Sequence, residues 1–397
     1  MPNGSAVPGD WRQPLQEGLA ALPPQRRRQL RSLQPNGPAG LSAGAGEPPL
    51  LDLASNDYLG LSRHPAVAAA AAAELARSGL GAGASRLVSG SRPVHQALET
   101  ALAAWLGRER VLLFPSGFQA NLAAVAALSD RHSLVIADRL IHHSLLAGVR
   151  ASGARLQRFA HNDPADLQRH LEAARRDSAS RRLLVLSESL YSMEGSSAPL
   201  ATFSALCRQH GAALLVDEAH ALGVLGPGGR GLAQGLAEVA LLSGTFGKAF
   251  GSGGAFLAGD GLVLEWLLQH AGAFRYTTAL APPLAAGALA ALQWLQGQEQ
   301  QGQHPGPGLL ARAQRWREAL AAAGWPRPPG EGPILPLLVG DDGRTLALQR
   351  QLEAAGLLSV AIRPPTVPEG TARLRLVLRH DLPAGSLGRL LAALGTP

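Results

Sequence analysis

Ser243-Gly244-Thr245-Phe246-Gly247-Lys248-Ala249-Phe250-Gly251 carries the only lysine among the 36 basic residues of a 397-residue chain. Arginine supplies charge and anion contacts, but its guanidinium stays protonated and forms no imine. A lysine amine withdrawn from water loses part of its ~10.4 pKa and can attack a carbonyl. A chain that writes arginine everywhere else and keeps one lysine in a glycine-rich turn points to a need for an amine there. The alternative is a surface lysine spared by compositional bias. The surrounding sequence decides between them.

Outward from this stretch, apolar runs of strand length are expected at Val111–Phe114, Leu134–Ala137, Leu183–Ser187, Ala213–Val216 and Gly254–Ala258. Helical patterns separate most of them, at Gln119–Leu128, Leu145–Ala151, Asp166–Arg175 and Leu200–His210, after helices Pro65–Ser78 and His95–Leu106. Continuous apolar strands alternating with helices predict an α/β fold with a mostly parallel sheet covered on both faces. Upstream, one helix is expected over Leu15–Leu33, followed by a Gly/Pro/Ala connector. Downstream, the uncharged segment Ala279–Leu295 opens with Pro282-Pro283 and reads as a buried helix rather than a membrane span. Gly297–Gly308 reads as a loop or linker. A mixed tail follows, with helices at Leu309–Ala323, Arg344–Ala355 and Ser386–Leu394 and strands at Ile334–Val339 and Arg373–Leu378. The expected division is residues 1–47 as an N-terminal helix and connector packing with the small domain, 48–296 as the large domain, and 297–397 as a small α+β C-terminal domain.

Composition limits the function. The content is 46% hydrophobic and 16% charged, as in an ordinary globular protein. Cys207 is the single cysteine, which excludes an intrachain disulfide and suits the cytoplasm. The first residues lack the pattern of a signal peptide. A net charge of +7 raises nucleic acid as a partner, but the arginines are scattered and the one tight run, Arg26-Arg27-Arg28, has no interleaved aromatics. Anionic small substrates account for the bias equally well, and neither nucleic acid nor membrane is expected as a partner.

Ligands of open α/β sheets gather beyond the carboxyl ends of the strands, where several polar motifs fall here. Pro115-Ser116-Gly117-Phe118 opens a helix after Val111–Phe114 and offers free N–H groups to a phosphate, or is a plain cap. Asp138-Arg139-Leu140-Ile141-His142-His143 follows Leu134–Ala137, and either imidazole can stack on an aromatic ring. No metal site is expected, because H-E-x-x-H spacing is absent. Asp217-Glu218-Ala219-His220 follows Ala213–Val216, with Asp217 and His220 able to bind the nitrogen and hydroxyl of one heteroaromatic ring. Thr245 lies three residues before Lys248, within reach of a phosphate beside an imine. Together these groups describe pyridoxal phosphate.

Three other motifs carry less. Gly226–Gly231 satisfies G-x-G-x-x-G, but proline occupies the turn and no strand directly precedes it. Gly40–Gly44 satisfies the G-x-S-x-G nucleophile pattern around Ser42, without an apolar strand before it or a helix after. A phosphate loop around Lys248 would need glycine at Leu242 and Ser/Thr at Ala249.

At this point the chain resembles the α-oxoamine synthases, fold type I pyridoxal phosphate enzymes. The likeness runs from about Leu15 to the C-terminus. It rests on Ser55–Leu61, Ser116-Gly117-Phe118, Asp138–His142, Asp217–His220 and Thr245–Lys248. The tail Ala361-Ile362-Arg363-Pro364-Pro365-Thr366-Val367-Pro368 looks most like the branch that joins L-alanine to a pimeloyl thioester in biotin biosynthesis. Glycine-using relatives share the other motifs and are the alternative.

The resemblance implies a large domain with a mostly parallel sheet, a smaller C-terminal domain, and a homodimer with its active site at the interface. It implies that Lys248 carries the cofactor and moves the substrate α-proton. Asp217 pairs with the ring nitrogen, His220 contacts the ring hydroxyl, and His142 stacks on the ring, with His143 as the rival. Ser116, Gly117, Phe118, Ser192 and Thr245 serve the cofactor, together with Thr278 of the partner subunit. Arg31, Asn56, His142, Arg363 and Thr366 match substrate positions. Ser189-Leu190-Tyr191 and Ser196 depart from the family pattern. The implied reaction is a decarboxylative condensation that releases carbon dioxide and coenzyme A, or an acyl carrier protein.

Overall fold

A computed structural model describes residues 10–44, 46–178 and 181–397. Its centre is a seven-stranded sheet of β1 (Arg110–Phe114), β2 (Leu134–Asp138), β3 (Arg155–Phe159), β4 (Leu183–Glu188), β5 (Ala213–Asp217), β6 (Val239–Thr245) and β7 (Ala255–Gly259), ordered β1-β7-β6-β5-β4-β2-β3. Only β7 runs against its neighbours. Side chains of a strand alternate between faces. Accordingly Ile136, Val185 and Val216 enter one apolar core, and Val135, Leu184, Leu186 and Leu215 enter the other. Both faces are covered, as the uninterrupted apolar runs require. The parallel strands bring Asp138, Glu188, Asp217 and Thr245 to one edge of the sheet.

Two strands of this sheet lie outside the five expected apolar runs. β3 is Arg-Leu-Gln-Arg-Phe at the sheet edge, where half its side chains meet water. β6 is buried and apolar through Leu242, and it delivers the lysine turn. The helix expected over Leu15–Leu33 ends at Ala21, because Pro23-Pro24 lacks the N–H groups to continue it. The expected linker Gly297–Gly308 is mostly helical. One helix runs Pro282–Gln300, the next Pro305–Ala322, and only residues 301–304 lie outside them.

A second sheet joins the two ends of the chain. Gln34–Pro35, Gly40–Ser42 and Leu50–Asp52 form it with Leu357–Leu358. Ser42 is buried in a three-residue strand with no helix following, which removes it as a nucleophile. A third sheet, β8 (Ile334–Gly340), β9 (Val360–Ile362) and β10 (Ala372–Val377), is antiparallel in the order β8-β10-β9. Among the described residues no helix is long and apolar enough to cross a membrane.

A charged clamp holds the turn that follows Leu50–Asp52. The Arg379 guanidinium, 5% exposed, reaches Asp52 at 3.0 Å, Asp381 at 2.8 Å and Asp57 at 3.5 Å. Asp52 also accepts the Ala54 and Ser55 N–H groups and the Ser55 hydroxyl. Removing one partner of a buried ion network strands the others, so Arg379→Ala is expected to lose ~3–5 kcal/mol of stability. Urea unfolding measures this, and an unchanged midpoint would refute it.

Candidate active site

The lysine turn hangs from the end of β6. Phe246 and Phe250 flank it, fully buried and edge-on to each other at 5.7 Å, so Lys248 points the other way. Gly251 closes the turn at φ +60°, where a Cβ would lie 2.1 Å from the Ser62 nitrogen, so no other residue fits. The Lys248 amine opens into a cavity of about 220 Å³. Gly117, Phe118, Asn121, His142, Glu188, Asp217, His220 and Thr245 are among its walls.

A hydrogen-bonded chain supports the amine. Lys248 Nζ lies 2.7 Å from His220 Nε2, and His220 Nδ1 lies 2.6 Å from the Tyr58 hydroxyl. Burial, helped by the charges of Lys248 and Arg375, pushes His220 well below the ordinary imidazole range and keeps it neutral. Burial raises Tyr58 to about 12, so its hydroxyl keeps its proton. The Lys248 amine is pushed down to about 8, chiefly by burial, with Arg375 adding and Asp217 and Glu188 opposing. That value makes it competent both to attack a carbonyl and to carry a proton near neutral pH.

Asp217 ends β5 with its carboxylate held by Asn121 Nδ2 at 2.7 Å and the Ala219 N–H at 2.9 Å. Glu188 ends the neighbouring strand, in register with Asp217. Burial and the Asp217 charge push the Glu188 carboxyl well above the usual range, so two adjacent acids occupy unlike environments. His142 caps the helix His143–Ser152, its Nδ1 2.7 Å from Ser144 Oγ. His143 leans on Phe118 instead, at 6.4 Å, and does not line the cavity.

Ser116 caps the helix Gly117–Leu128 by accepting the Gln119 N–H at 3.3 Å. The Gly117 and Phe118 N–H groups have no partner among the described residues and stand at the positive end of that helix. Thr245 Oγ1 donates to the Gly254 carbonyl and accepts the Gly247 N–H. Asn121 Oδ1 is buried without a partner. Free N–H groups, an amine and a held carboxylate around one cavity fit a phosphorylated aldehyde carrying a ring nitrogen.

Other residues singled out from sequence lie elsewhere in the single chain. Arg31 pairs with Glu353. Thr278 lines a surface cavity with Ser85, Arg275 and Tyr276. Arg363 and Thr366 line a third cavity with Arg27 and Arg28. Asn56 and Ser192 connect to the site through Arg375, whose Nη2 donates to Asn56 Oδ1 at 3.0 Å and Nε to the Ser192 carbonyl at 2.7 Å. Ser196 accounts for itself structurally: its Oγ lies 2.8 Å from His161 Nε2, and His161 Nδ1 lies 3.1 Å from Asp138. In Gly226–Gly231, a Cβ on Gly231 would meet the buried Glu218 carboxyl at 2.6 Å, so this loop packs on protein rather than on a dinucleotide.

The sequence reading missed Arg375, Asn121, Tyr58 and Glu188 as site residues. Asn121 had a signal: it is one helical turn beyond Gly117 and shares its face. Arg375 is buried and has no carboxylate within ion-pair distance among the described residues, which marks it as waiting for an anion.

Comparison with known proteins gives these features their class. The model of the aminotransferase class I and II family matches residues 48–394, and the chain belongs to that family. The fold type I architecture is shared with a serine palmitoyltransferase of Sphingomonas wittichii (TM-score 0.88, 29% identity, 98% of each chain). It is shared also with a lysine-to-alanine variant of a serine palmitoyltransferase of S. paucimobilis solved with a bound PLP–myriocin aldimine (TM-score 0.85, 27% identity, 91% of each chain). Sequence places the chain more finely. It is 44% identical to an 8-amino-7-oxononanoate synthase of Anaeromyxobacter dehalogenans over 92% of this chain and 90% of that protein. It is 43% identical to another of Alkalilimnicola ehrlichii over 96% of each. Within the family the chain therefore belongs with the 8-amino-7-oxononanoate synthases.

Proposed function

We propose that this protein condenses L-alanine with a pimeloyl thioester to give 8-amino-7-oxononanoate, carbon dioxide and the free carrier thiol, with pyridoxal phosphate bound in the Lys248 cavity. The observation that carries the reading is that the only lysine opens on one cavity with Asp217, neutral His220 and the unbonded N–H groups of Gly117 and Phe118.

Lys248 would hold the cofactor, Asp217 its ring nitrogen, and Gly117, Phe118 and Thr245 its phosphate. When bound, the cofactor supplies an electron-withdrawing ring that lets the α-proton of an amino acid leave. Lys248 Nζ takes and returns that proton, and His220 Nε2 orients the amine. His142, which lines the same cavity, would stack on one face of the ring. Arg375 takes the amino-acid carboxylate by a planar fork that a lysine does not reproduce. Arg375→Lys is therefore expected to raise KM for L-alanine about 10²-fold with a smaller change in kcat. Steady-state kinetics read this, and an unchanged KM would remove Arg375 from the site.

The reaction of cofactor-free protein with pyridoxal phosphate reports the amine directly. Because the Lys248 pKa is lowered to about 8, the free base dominates above that pH. The capture rate should fall about tenfold per pH unit below it and level off above. A break near the ordinary lysine value would contradict the site's electrostatics.

We further propose a cytoplasmic homodimer whose chain divides into residues 1–47, packing with the small domain, 48–296, the large domain, and 297–397, the small domain. The buried, unpaired Cys207 supports the reducing compartment. The seven-stranded sheet falling in residues 48–296 and β8, β9 and β10 in 297–397 support the division. Supplying the holoenzyme with L-alanine and pimeloyl-CoA and identifying the product by mass spectrometry tests the reaction. Turnover of glycine with a short acyl-CoA instead would keep the mechanism and overturn the substrate.

A further inference from the structure

Arg375 stands on β10, close enough for its charge to weigh on the Lys248 amine. Its Nε donates to the Ser192 carbonyl at 2.7 Å, and its Nη2 to Asn56 Oδ1 at 3.0 Å. Arg373 lies two residues earlier, on the same face of that strand. Its Nη1 donates to the Met193 carbonyl at 3.0 Å and pairs with Glu194 at 3.3 Å. Both guanidinium groups therefore rest on one turn, residues 191–195. The turn closes on itself, the Gly195 N–H donating to the Tyr191 carbonyl at 2.8 Å. A guanidinium is planar, so a carbonyl that takes its Nε–H also sets the plane in which its other N–H groups point. Where the turn sits, the fork sits.

A buried corner fixes the turn from the other side. After β3, His161 Nε2 lies 2.8 Å from Ser196 Oγ, and Asn162 Nδ2 donates to the Ser197 carbonyl at 3.0 Å. Both residues are anchored by Asp138, the fully buried last residue of β2. Its carboxylate accepts the Leu140 and Asn162 N–H groups, each at 2.8 Å, and lies 3.1 Å from His161 Nδ1 through both oxygens. With Asp138 accepting from Nδ1, the neutral imidazole presents Nε2 as an acceptor to the Ser196 hydroxyl. Tyr191, the first residue of the turn, packs edge-on against the same ring at 4.4 Å. Asn162 adopts φ +54° and is the only non-glycine residue in the left-handed region among the described residues. Such a conformation persists where its surroundings over-determine it. Ser196 departs from the family pattern, so the hydroxyl link belongs to this chain.

None of Asp138, His161, Asn162 and Ser196 lines the Lys248 cavity. Their hydrogen bonds lead toward it through the turn and Arg375. We propose that His161, oriented by Asp138 and acting through Ser196, is a positioning residue for Arg375: it fixes the turn that places the guanidinium fork for the amino-acid carboxylate. The inference rests on the role of Arg375 proposed above. A displaced fork weakens capture of the amino acid, while Lys248, Asp217 and the helix start at Gly117 stay in place for the cofactor.

The test compares holoenzymes carrying His161→Leu, Ser196→Ala and Ser196→Thr with wild type. Loss of the ring or of the hydroxyl is expected to raise KM for L-alanine about tenfold, part of the roughly 10²-fold cost of misplacing such a group by about 1 Å. The kcat and the KM for the pimeloyl thioester should change little. Ser196→Thr keeps the hydroxyl and should return KM to the wild-type value. Pyridoxal phosphate capture by the cofactor-free proteins should proceed at one rate in all four, which separates lost positioning from a damaged fold. Should His161→Leu fail to fold, Ser196→Ala removes a single oxygen from a half-buried residue and carries the same comparison. An unchanged KM in the two loss variants, or a fall in cofactor capture that parallels the rise in KM, would overturn the proposal. A double-mutant cycle decides the route. In the Arg375→Lys background Ser196→Ala should add nothing further, and a full additive effect would show that the link does not act through Arg375. If Arg375→Lys itself leaves KM unchanged, the carboxylate reading falls and the proposal with it. If Arg375→Lys raises KM while the His161 and Ser196 variants do not, the positioning alone fails.

Discussion

Lys248→Ala is expected to abolish turnover, by at least ~10⁴-fold in kcat/KM, and to leave the purified protein without visible absorption after incubation with pyridoxal phosphate. The effect is this large because no other amine can substitute. The chain has one lysine, and the nearest cations, Arg375 and the other arginines, form no imine. Lys248→Arg separates charge from chemistry: it keeps the cation facing Asp217 and Glu188 and should be as inactive as alanine. A further check uses the same uniqueness. Borohydride reduction of the wild-type holoenzyme should add one cofactor mass per chain, on the peptide holding Phe246–Gly251. A label elsewhere, or an active alanine variant, would end the reading built on this residue.

The second large effect is at Asp217. Asp217→Asn keeps the shape and removes the negative charge that faces the cavity between Asn121 and the Ala219 N–H. A ring nitrogen no longer paired with a carboxylate loses its proton, and with it most of its electron-withdrawing power. A loss of about 10³-fold in kcat/KM is expected, near 4 kcal/mol of transition-state stabilisation, with weaker retention of the cofactor. Glu188, at the end of the preceding strand and in register with Asp217, is not expected to rescue the variant, because burial pushes its carboxyl well above the usual range and disfavours its charge. Wild-type rates in Asp217→Asn would show that the ring nitrogen needs no anion here.

The central sheet was readable from apolar runs because strands buried on both faces have no polar alternation to obscure them. β3 was not, since Arg155 and Arg158 at the sheet edge look like loop. Periodicity alone carries the first helix through Pro23-Pro24, whereas two residues without N–H groups stop it at Ala21. At the opposite extreme, Pro65–Ser78 and Ser386–Leu394 were delimited to the residue by proline and glycine punctuation.

The site divides along the same physical line. Lys248, Asp217, His220, His142 and Gly117 announce themselves because each sits just past a strand, where the fold rule puts ligands, and neighbours in sequence supply the pattern. Tyr58, Asn121, Glu188 and Arg375 carry no such local signature. Tyr58 meets His220 across 162 residues, and Arg375 meets Asn56 across 319. What the sequence alone determined is the architecture, the amine and the strand-end partners, because hydrophobic periodicity and chemically irreplaceable residues are local properties. What only the tertiary structure decided is which polar groups lose their water and their counter-charges together. It alone brings the Lys248 amine down to about 8, pushes the Glu188 carboxyl up, leaves Arg375 without a carboxylate among the described residues, and gathers Arg27, Arg28 and Arg363 around another cavity. Desolvation and pairing depend on residues brought together from far along the chain, and no local pattern encodes them.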